Sequence, residues 1–184
     1  MADSVSDYCE NANILSESET YQYLAYAVGG CGVLVEWRAY RMRSGVAFRR
    51  WSALGAVMWA AQYFLLGAWT AGLTMAVTSL RTLLSAWLAN SPYRHWAAAV
   101  FVSIFAGLTV GSWQGVQSLL PAFAVINTTL ALFYLDNRAM RIALLASSLA
   151  WIGNDWYWRA WPALLAETVA MAINGHTIRK RLPT

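Results

Sequence analysis

The chain has 184 residues, of which 59% are hydrophobic and only 12% are charged. A soluble domain usually carries about 25% charged and roughly 45–50% apolar residues, so this composition indicates a protein whose surroundings are the lipid bilayer. With 11 Trp, 4 Pro and 2 Cys, the chain fits neither the disordered nor the disulfide-rich secreted class. The net charge of +4 is not accompanied by a nucleic-acid motif, and nucleic acid is not an expected partner.

The first 20 residues form an acidic stretch with five carboxylates and no Lys or Arg. A signal peptide needs a positive start and an apolar core, so this stretch is not one. We expect residues 1–20 to be a periplasmic tail with at most one helical turn. Residues 179–184 form a basic tail that we expect in the cytoplasm.

Seven apolar segments lie between these tails, at residues 21–37, 51–69, 71–90, 96–113, 116–134, 139–153 and 162–178. A helix that crosses the hydrocarbon core needs about 20 residues, which most of these segments provide. The sixth is short unless it continues through Trp158. Backbone polar groups find no water in lipid, so each span should be helical. The predicted fold class is therefore an all-α polytopic membrane protein with seven transmembrane helices.

The basic residues predict the orientation of these helices. If the acidic tail lies outside, the inner loops hold all Lys and Arg except Arg81, which falls within a span, and Arg159, which lies outside. Cytoplasmic loops are enriched in Lys and Arg, so this distribution fits an N-terminus in the periplasm and a C-terminus in the cytoplasm. A six-span topology would put one basic cluster on the wrong side.

A weak internal repeat relates the second and third segments to the sixth and seventh. The strings WAAQ at 59–62 and AWTA at 68–71 correspond to WIGN at 151–154 and AWPA at 160–163. With a slip of three residues, Ser79 then aligns with Asn174. We predict a first triple-helix repeat over 21–90, a linker helix over 96–113 and a second triple-helix repeat over 116–178. Parallel repeats of this 3+1+3 kind are a transporter architecture.

Several strings resemble the YgjV-type family of bacterial inner-membrane proteins. They are YFLLG at 63–67, LRTL at 80–83, LLP at 119–121, ALF at 131–133, and Glu167 followed by Asn174 and Gly175. The resemblance covers roughly residues 21–181 and implies a location in the bacterial inner membrane. More distantly, the 3+1+3 layout resembles the SWEET and PnuC-type transporter folds. The Pro-Gln pair of PQ-loop proteins and the Pro-Asn pair of the sugar transporters are absent.

Two ionisable residues stand out inside the spans. Arg81 lies near the middle of the third segment, and Glu167 lies in the corresponding segment of the second repeat. A charge at the centre of the bilayer costs about 2.5–3.5 kcal/mol on insertion scales, so both should face the bundle interior. The hypothesis is that Arg81 and Glu167 pair beside a substrate or proton site. The alternative is a structural clamp, or an Arg81 side chain that reaches towards the interface.

Repeat-related polar and aromatic residues are further candidates for substrate binding. Gln62 and Asn154 end the second and sixth segments and are predicted to rim an outer vestibule, together with Asp155. Trp residues at span ends are typical of an interfacial belt. Trp59 and Trp151 are exceptions, because both lie inside their spans, and aromatic rings can stack on a flat ligand.

Four more residues complete the set of candidates. Ser79, Asn127 and Asn174 are polar residues within spans, which either join neighbouring helices by hydrogen bonds or contact a ligand. Pro121 is predicted to kink the fifth segment and is a candidate hinge.

No motif of a hydrolase, a metalloprotease or a nucleotide-binding enzyme is present, and no pair of carboxylates lies within the spans, so we expect no enzymatic activity, no cofactor and no metal site. The favoured hypothesis is a transporter or facilitator of a small polar or aromatic solute. The alternative is a non-transporting membrane scaffold or accessory protein. Association with further copies of the same chain stays open.

Overall fold

The computed structural model describes residues 2–40, 45–88, 91–135 and 137–181. These form seven α-helices and one 3₁₀ helix, namely α1 (Ala2–Tyr40), α2 (Gly45–Leu65), α3 (Trp69–Leu88), α4 (Arg94–Gly111), the 3₁₀ helix (Val116–Ser118), α5 (Leu119–Tyr134), α6 (Asn137–Tyr157) and α7 (Trp161–Arg181). The described ranges contain no strand, which confirms the all-α prediction. Arg41 and Arg43, which were predicted to lie in an inner loop, and Asn90, the last residue of the third apolar segment, lie outside the described residues.

The N-terminal stretch differs from the prediction, because α1 begins at Ala2 rather than near residue 21. Residues 2–20 contain no Gly or Pro, the two residues that disfavour helix interiors most. Acidic residues in the first turns also interact favourably with the positive end of the helix dipole. The expectation of no more than one helical turn is therefore wrong.

The helices differ in how strongly their composition marks them as membrane spans. In the described part of the chain, two stretches, Arg94–Gly111 and Val116–Tyr134, are long and apolar enough to cross a membrane by length and composition alone. The other helices carry more Trp, Gly, Ser, Thr or charged residues, which lowers their mean hydropathy. The sixth helix has 21 residues, Asn137–Tyr157. It ends one residue before Trp158 and begins two residues before the predicted segment 139–153.

Six of the helices pack in a closed ring. α2 packs between α1 and α3, and α6 packs between α5 and α7. The two sets of three then meet where α1 contacts α7 and where α3 contacts α5. α4 lies against α3 and α5.

The α2–α3 turn and the α4–α5 link lie at the same end of this ring. Thr70 Oγ1 donates a hydrogen bond to the backbone oxygen of Ser112 (2.6 Å), and Gln114 Nε2 donates to that of Gly67 (2.7 Å). Because both short links lie at this end, α3 must run away from it and α4 must run back towards it.

A shift of 92 residues relates α2 and α3 to α6 and α7. Adding 92 to the first and last residue numbers of α2 gives those of α6. Adding 92 to the number of Trp69, the first residue of α3, gives Trp161, the first residue of α7. α3 and α7 run without interruption, so the shift stays constant along them. The predicted slip of three residues, which aligned Ser79 with Asn174, is therefore wrong.

The turns that end α2 and α6 have the same hydrogen bonds at this shift. The amide of Ala68 donates to the oxygen of Tyr63 (2.8 Å), as the amide of Ala160 does to that of Asp155 (2.8 Å). Each turn also has one residue with a positive φ, Gly67 at 74° in the first and Arg159 at 53° in the second. Two local structures that match bond for bond indicate a structural repeat.

Candidate functional site

A cavity of about 190 Å³ lies among α1, α2, α3, α6 and α7. It is lined by Glu36, Ser52, Ala56, Trp59, Tyr63, Met75, Thr78, Thr82, Trp151, Asp155, Ala163, Ala166 and Glu167. Both repeat units contribute to its wall. No Lys or Arg of the described ranges lines it, whereas three carboxyl groups do.

The close packing of α1 brings Glu36 to this cavity. A Cβ atom on Gly32 would lie 3.2 Å from the Trp59 ring, and Val35 Cγ1 lies near Gly55, in the middle of α2. Glu36 therefore lies at the mid-depth of α2. The predicted first segment ended at residue 37, which put Glu36 at its edge, whereas the structure places Glu36 beside the middle of α2.

The aromatic part of the wall comes from repeat-related positions. Trp59 and Trp151 correspond at the 92-residue shift, and both are buried. The rings of Tyr63 and Trp151 stack with centroids 5.8 Å apart and an angle of 17° between their planes. By contrast Trp69 and Trp161, which begin α3 and α7, are exposed. The structure thus separates the two inner Trp residues from those at the helix ends.

The three carboxyl groups have polar neighbours of different kinds. Tyr63 donates its hydroxyl hydrogen to Asp155 Oδ1 (2.5 Å), which joins α2 to α6. The Ser148 hydroxyl is a polar neighbour of the Glu167 carboxyl. The Trp59 indole N–H is a polar neighbour of the Glu36 carboxyl, and Glu167 is a second acidic group near it. The expectation that no two carboxylates share the interior is therefore wrong.

Tyr63 and Asp155 are themselves equivalent positions of the two repeat units, 92 residues apart. Their hydrogen bond and the cavity that both residues line therefore lie between α2 and α6.

Arg81 does not face this cavity. Its Nη1 donates to Thr129 Oγ1 (2.6 Å) and to the backbone oxygen of Val125 (3.2 Å), both on α5. Its guanidinium lies over the ring of Phe105 of α4, 5.7 Å from the centroid. No acid in the described part of the chain compensates its charge, so the predicted pair with Glu167 is wrong. Residues one apart on a helix differ by about 100° in direction, so the face of α3 that carries Thr82 to the cavity turns Arg81 away from it.

Within the described ranges, no group of three or more His, Cys, Asp or Glu side chains is arranged to hold a metal ion.

Comparison with known proteins identifies the family of this chain. The Imp-YgjV family, described as bacterial inner membrane protein, matches residues 23–182. The chain belongs to this family. It is also 23% identical over 159 residues to the inner membrane protein YgjV of Escherichia coli (strain K12), a match that covers 86% of this chain and 85% of that protein. No solved structure matches the chain. The family places the protein in the bacterial inner membrane and confirms the YgjV-type resemblance.

In this Imp-YgjV chain, Gln62 and Asn154 do not form the rim of an open vestibule. Both are buried, with 0% and 1% of their surface exposed, as is Asp155. Gln62 packs where α1 and α7 meet α2, so closely that a Cβ atom on Gly29 would overlap its side-chain amide. Asn154 Nδ2 lies 3.4 Å from Asp155 Oδ1. The vestibule prediction is therefore wrong for these side chains, although Asp155 lines the cavity.

Ser79, Asn127 and Asn174 lie outside the lining of the cavity and join adjacent helices. Ser79 Oγ donates to the backbone oxygen of Ala53 (2.8 Å) on α2. Asn127 Nδ2 donates to that of Ala143 (2.6 Å) on α6, and Asn174 Nδ2 to that of Arg141 (3.0 Å), also on α6. These bonds correspond to the helix-joining alternative of the sequence analysis.

Pro121 occupies the first turn of α5, directly after the 3₁₀ helix. A Pro in the first turn breaks no hydrogen bond of the helix, because the amide there has no partner within it. The prediction of a kink within the fifth helix is therefore wrong, and with it the physical basis for a hinge at Pro121.

Glu36 is the carboxyl group of the site that was not among the candidates from the sequence, and Tyr63 and Thr78, which also line the cavity, were not candidates either. Gly29, Gly32 and Glu36 follow one another at spacings of three and four, which places them on one face of a helix. Small residues at such spacing mark a face on which helices approach closely. That pattern could have identified Glu36 as a residue of the interior.

Proposed function

We propose that the protein crosses the inner membrane seven times and transports or facilitates the passage of a small solute, which binds in the central cavity. The observation that carries this proposal is the position of the cavity, which lies between two repeat units and is lined by ionisable and aromatic residues from both. Parallel repeats around a site near the midplane are a transporter architecture. Ionisable residues within the membrane commonly mark solute or proton pathways.

The outer surface of the helices supports a multi-pass arrangement. Large apolar side chains on several helices are exposed, among them Leu54, Leu80, Ile104, Phe123 and Leu165. Soluble monomers rarely expose contiguous apolar surface of this kind, whereas lipid covers it without cost. The links at one end of the ring then lie in the periplasm, and the basic clusters lie in the cytoplasm.

The repeat supports the 3+1+3 arrangement. α1, α2 and α3 form the first unit, α4 is the linker, and α5, α6 and α7 form the second unit. The contacts between the units obey the same symmetry, because α1 against α7 corresponds to α5 against α3. Rocking of one unit against the other would open the cavity to each side in turn.

Water access to the cavity separates a transporter from a closed scaffold. In a background in which both native Cys residues are replaced by Ser, we expect Ala56→Cys, which lines the cavity, to react with a small hydrophilic thiol reagent. Ala98→Cys is the matched control, because Ala98 is buried but does not line the cavity. If both Cys residues are equally protected from the reagent, the result would favour a closed, non-transporting scaffold.

Uptake into proteoliposomes then tests transport itself. We expect saturable uptake of at least one solute from a panel of small metabolites, and its loss with Trp59→Leu. Trp96→Leu is the control, because Trp96 is 74% exposed and does not line the cavity. An accessible cavity with no uptake of any solute would contradict the proposal.

A further inference from the structure

The lining residues of the cavity that can carry a charge near neutral pH are all carboxylic acids. Glu36, Asp155 and Glu167 contribute carboxyl groups, and no Lys or Arg of the described ranges lines the cavity. The cavity therefore becomes negative as soon as any of the three ionises. An anionic solute would be repelled by these charges and a neutral solute would gain no charge–charge attraction from them, whereas a cation would be attracted.

Two polar groups in the wall of the cavity can still form a hydrogen bond to a ligand. Asp155 is 1% exposed, and the hydrogen bonds from Tyr63 and Asn154 both go to its Oδ1, which leaves Oδ2. Thr78 lines the same cavity, and its hydroxyl is buried without a partner. Buried polar groups are nearly always hydrogen-bonded, so an unpartnered group beside a cavity points to a bound molecule.

The aromatic residues add a second attraction for cations. Trp59, Tyr63 and Trp151 all line the cavity. The face of an aromatic ring attracts a cation, most strongly for Trp, and recognition of quaternary ammonium groups relies on such rings. A volume of about 190 Å³ is below the roughly 300–1,000 Å³ of sites for drug-sized ligands, so the ligand must be small.

We infer that the cavity binds a small organic cation of the amine or quaternary ammonium class. Carboxylates from both repeat units balance its charge, and the Trp rings cover its apolar surface. This inference rests on the proposed function for the role of the site, because it names the class of solute that the same cavity takes.

The probe is choline, compared with dimethylbutanol, in which a neutral tert-butyl group replaces the trimethylammonium group. Binding to the full chain in detergent is measured by calorimetry and by the shift in melting temperature. We expect choline to bind at least about ten-fold more tightly than the neutral analogue, since both have nearly the same shape and differ in charge. Equal affinities would overturn the inference, and so would no binding of choline.

Variants locate the bound cation. We expect Glu167→Gln and Trp151→Leu each to weaken choline binding by about ten-fold or more. Glu19→Gln and Trp96→Leu, at exposed positions away from the cavity, are the matched controls and should bind like the parent. The Gln variant keeps the shape of the side chain, and a melting curve of each variant shows that it is folded. Choline binding that survives both cavity substitutions in folded protein would overturn the inference.

The uptake experiment separates this inference from the proposed function. Uptake of another solute through the cavity without choline binding would refute the cation site and leave transport standing. Choline binding without uptake of any solute would refute transport and leave a cation-binding site.

Discussion

The environment of Arg81 leads to a prediction about which residues are energetically coupled to it. Arg81 is 4% exposed and donates to Thr129 Oγ1 at 2.6 Å, whereas no contact joins it to Glu167. Arg81→Met removes a buried charge, and replacing such a charge by an apolar side chain is often neutral or stabilising. Thr129→Val keeps the shape of the side chain but deprives the guanidinium of its short hydrogen bond. We therefore expect Thr129→Val to destabilise the protein only while Arg81 is present.

The size of the coupling follows from the kind of bond. A hydrogen bond to a charged group contributes about 1.5–3 kcal/mol in soluble proteins. Interhelical hydrogen bonds in a membrane protein average about 0.6 kcal/mol, with a maximum near 1.7. Because the bond of Arg81 is short, buried and charge-assisted, we expect a coupling free energy of about 1–2 kcal/mol between Arg81 and Thr129.

Double-mutant cycles in detergent measure this coupling from the free energies of unfolding. The control is Thr74→Val, because Thr74 is buried, shares no partner with Arg81, and its hydroxyl donates to the backbone oxygen of Thr70 in its own helix (2.9 Å). Arg81→Met should be additive with Thr74→Val and with Glu167→Gln, within about 0.3–0.5 kcal/mol. Strong coupling to Glu167 together with additivity to Thr129 would refute this description of the Arg81 environment.

Two further predictions concern packing and topology. Gly32→Ala should have a free energy of unfolding about 1–3 kcal/mol lower than that of Gly30→Ala, because a Cβ atom on Gly32 would press on Trp59 at 3.2 Å whereas one on Gly30 meets open space. Both substitutions gain the same helix propensity, so equal effects would contradict the close approach of α1. A reporter fused after Arg181 should be cytoplasmic and one fused ahead of Tyr21 periplasmic, as the distribution of Lys and Arg requires; both reporters on one side of the membrane would contradict seven spans.

The helices and the repeat could be predicted from the sequence because both leave direct traces in it. Apolar segments of about 20 residues predict the helices, and the strings around Trp59 and Trp151 reveal the repeat without any structural information. The same strings also single out the two Trp residues that line the cavity. These features are local, so the order of residues is sufficient to find them.

The site itself could be predicted only in part, because it depends on how the helices are rotated and shifted. The sequence places Arg81 and Glu167 on corresponding helices of the two repeat units, but it does not show that α3 turns Arg81 towards α5. A shift in the start of the first span likewise changes Glu36 from an edge residue into a residue of the interior. Only the contacts of Gly32 and Val35 with α2 fix that depth. Rotation and depth are properties of packing between helices, which the hydrophobic pattern of each helix constrains weakly.

The hydrogen-bonded pair of Tyr63 and Asp155 provides a test of whether the two repeat units are related by symmetry. Two identical residues at equivalent positions near the axis would face each other, and two carboxyl groups there would repel when charged. Tyr63 and Asp155 instead form a donor and acceptor pair. If the two units are related by symmetry, exchanging the two residues should restore the bond, with the new Tyr beside Trp59 as Tyr63 is beside Trp151. We therefore expect Tyr63→Asp and Asp155→Tyr each to lower the melting temperature in detergent, and the exchanged double variant to recover a substantial part of the loss. A double variant that melts as low as the summed single effects would show that the surroundings of the two positions are not equivalent.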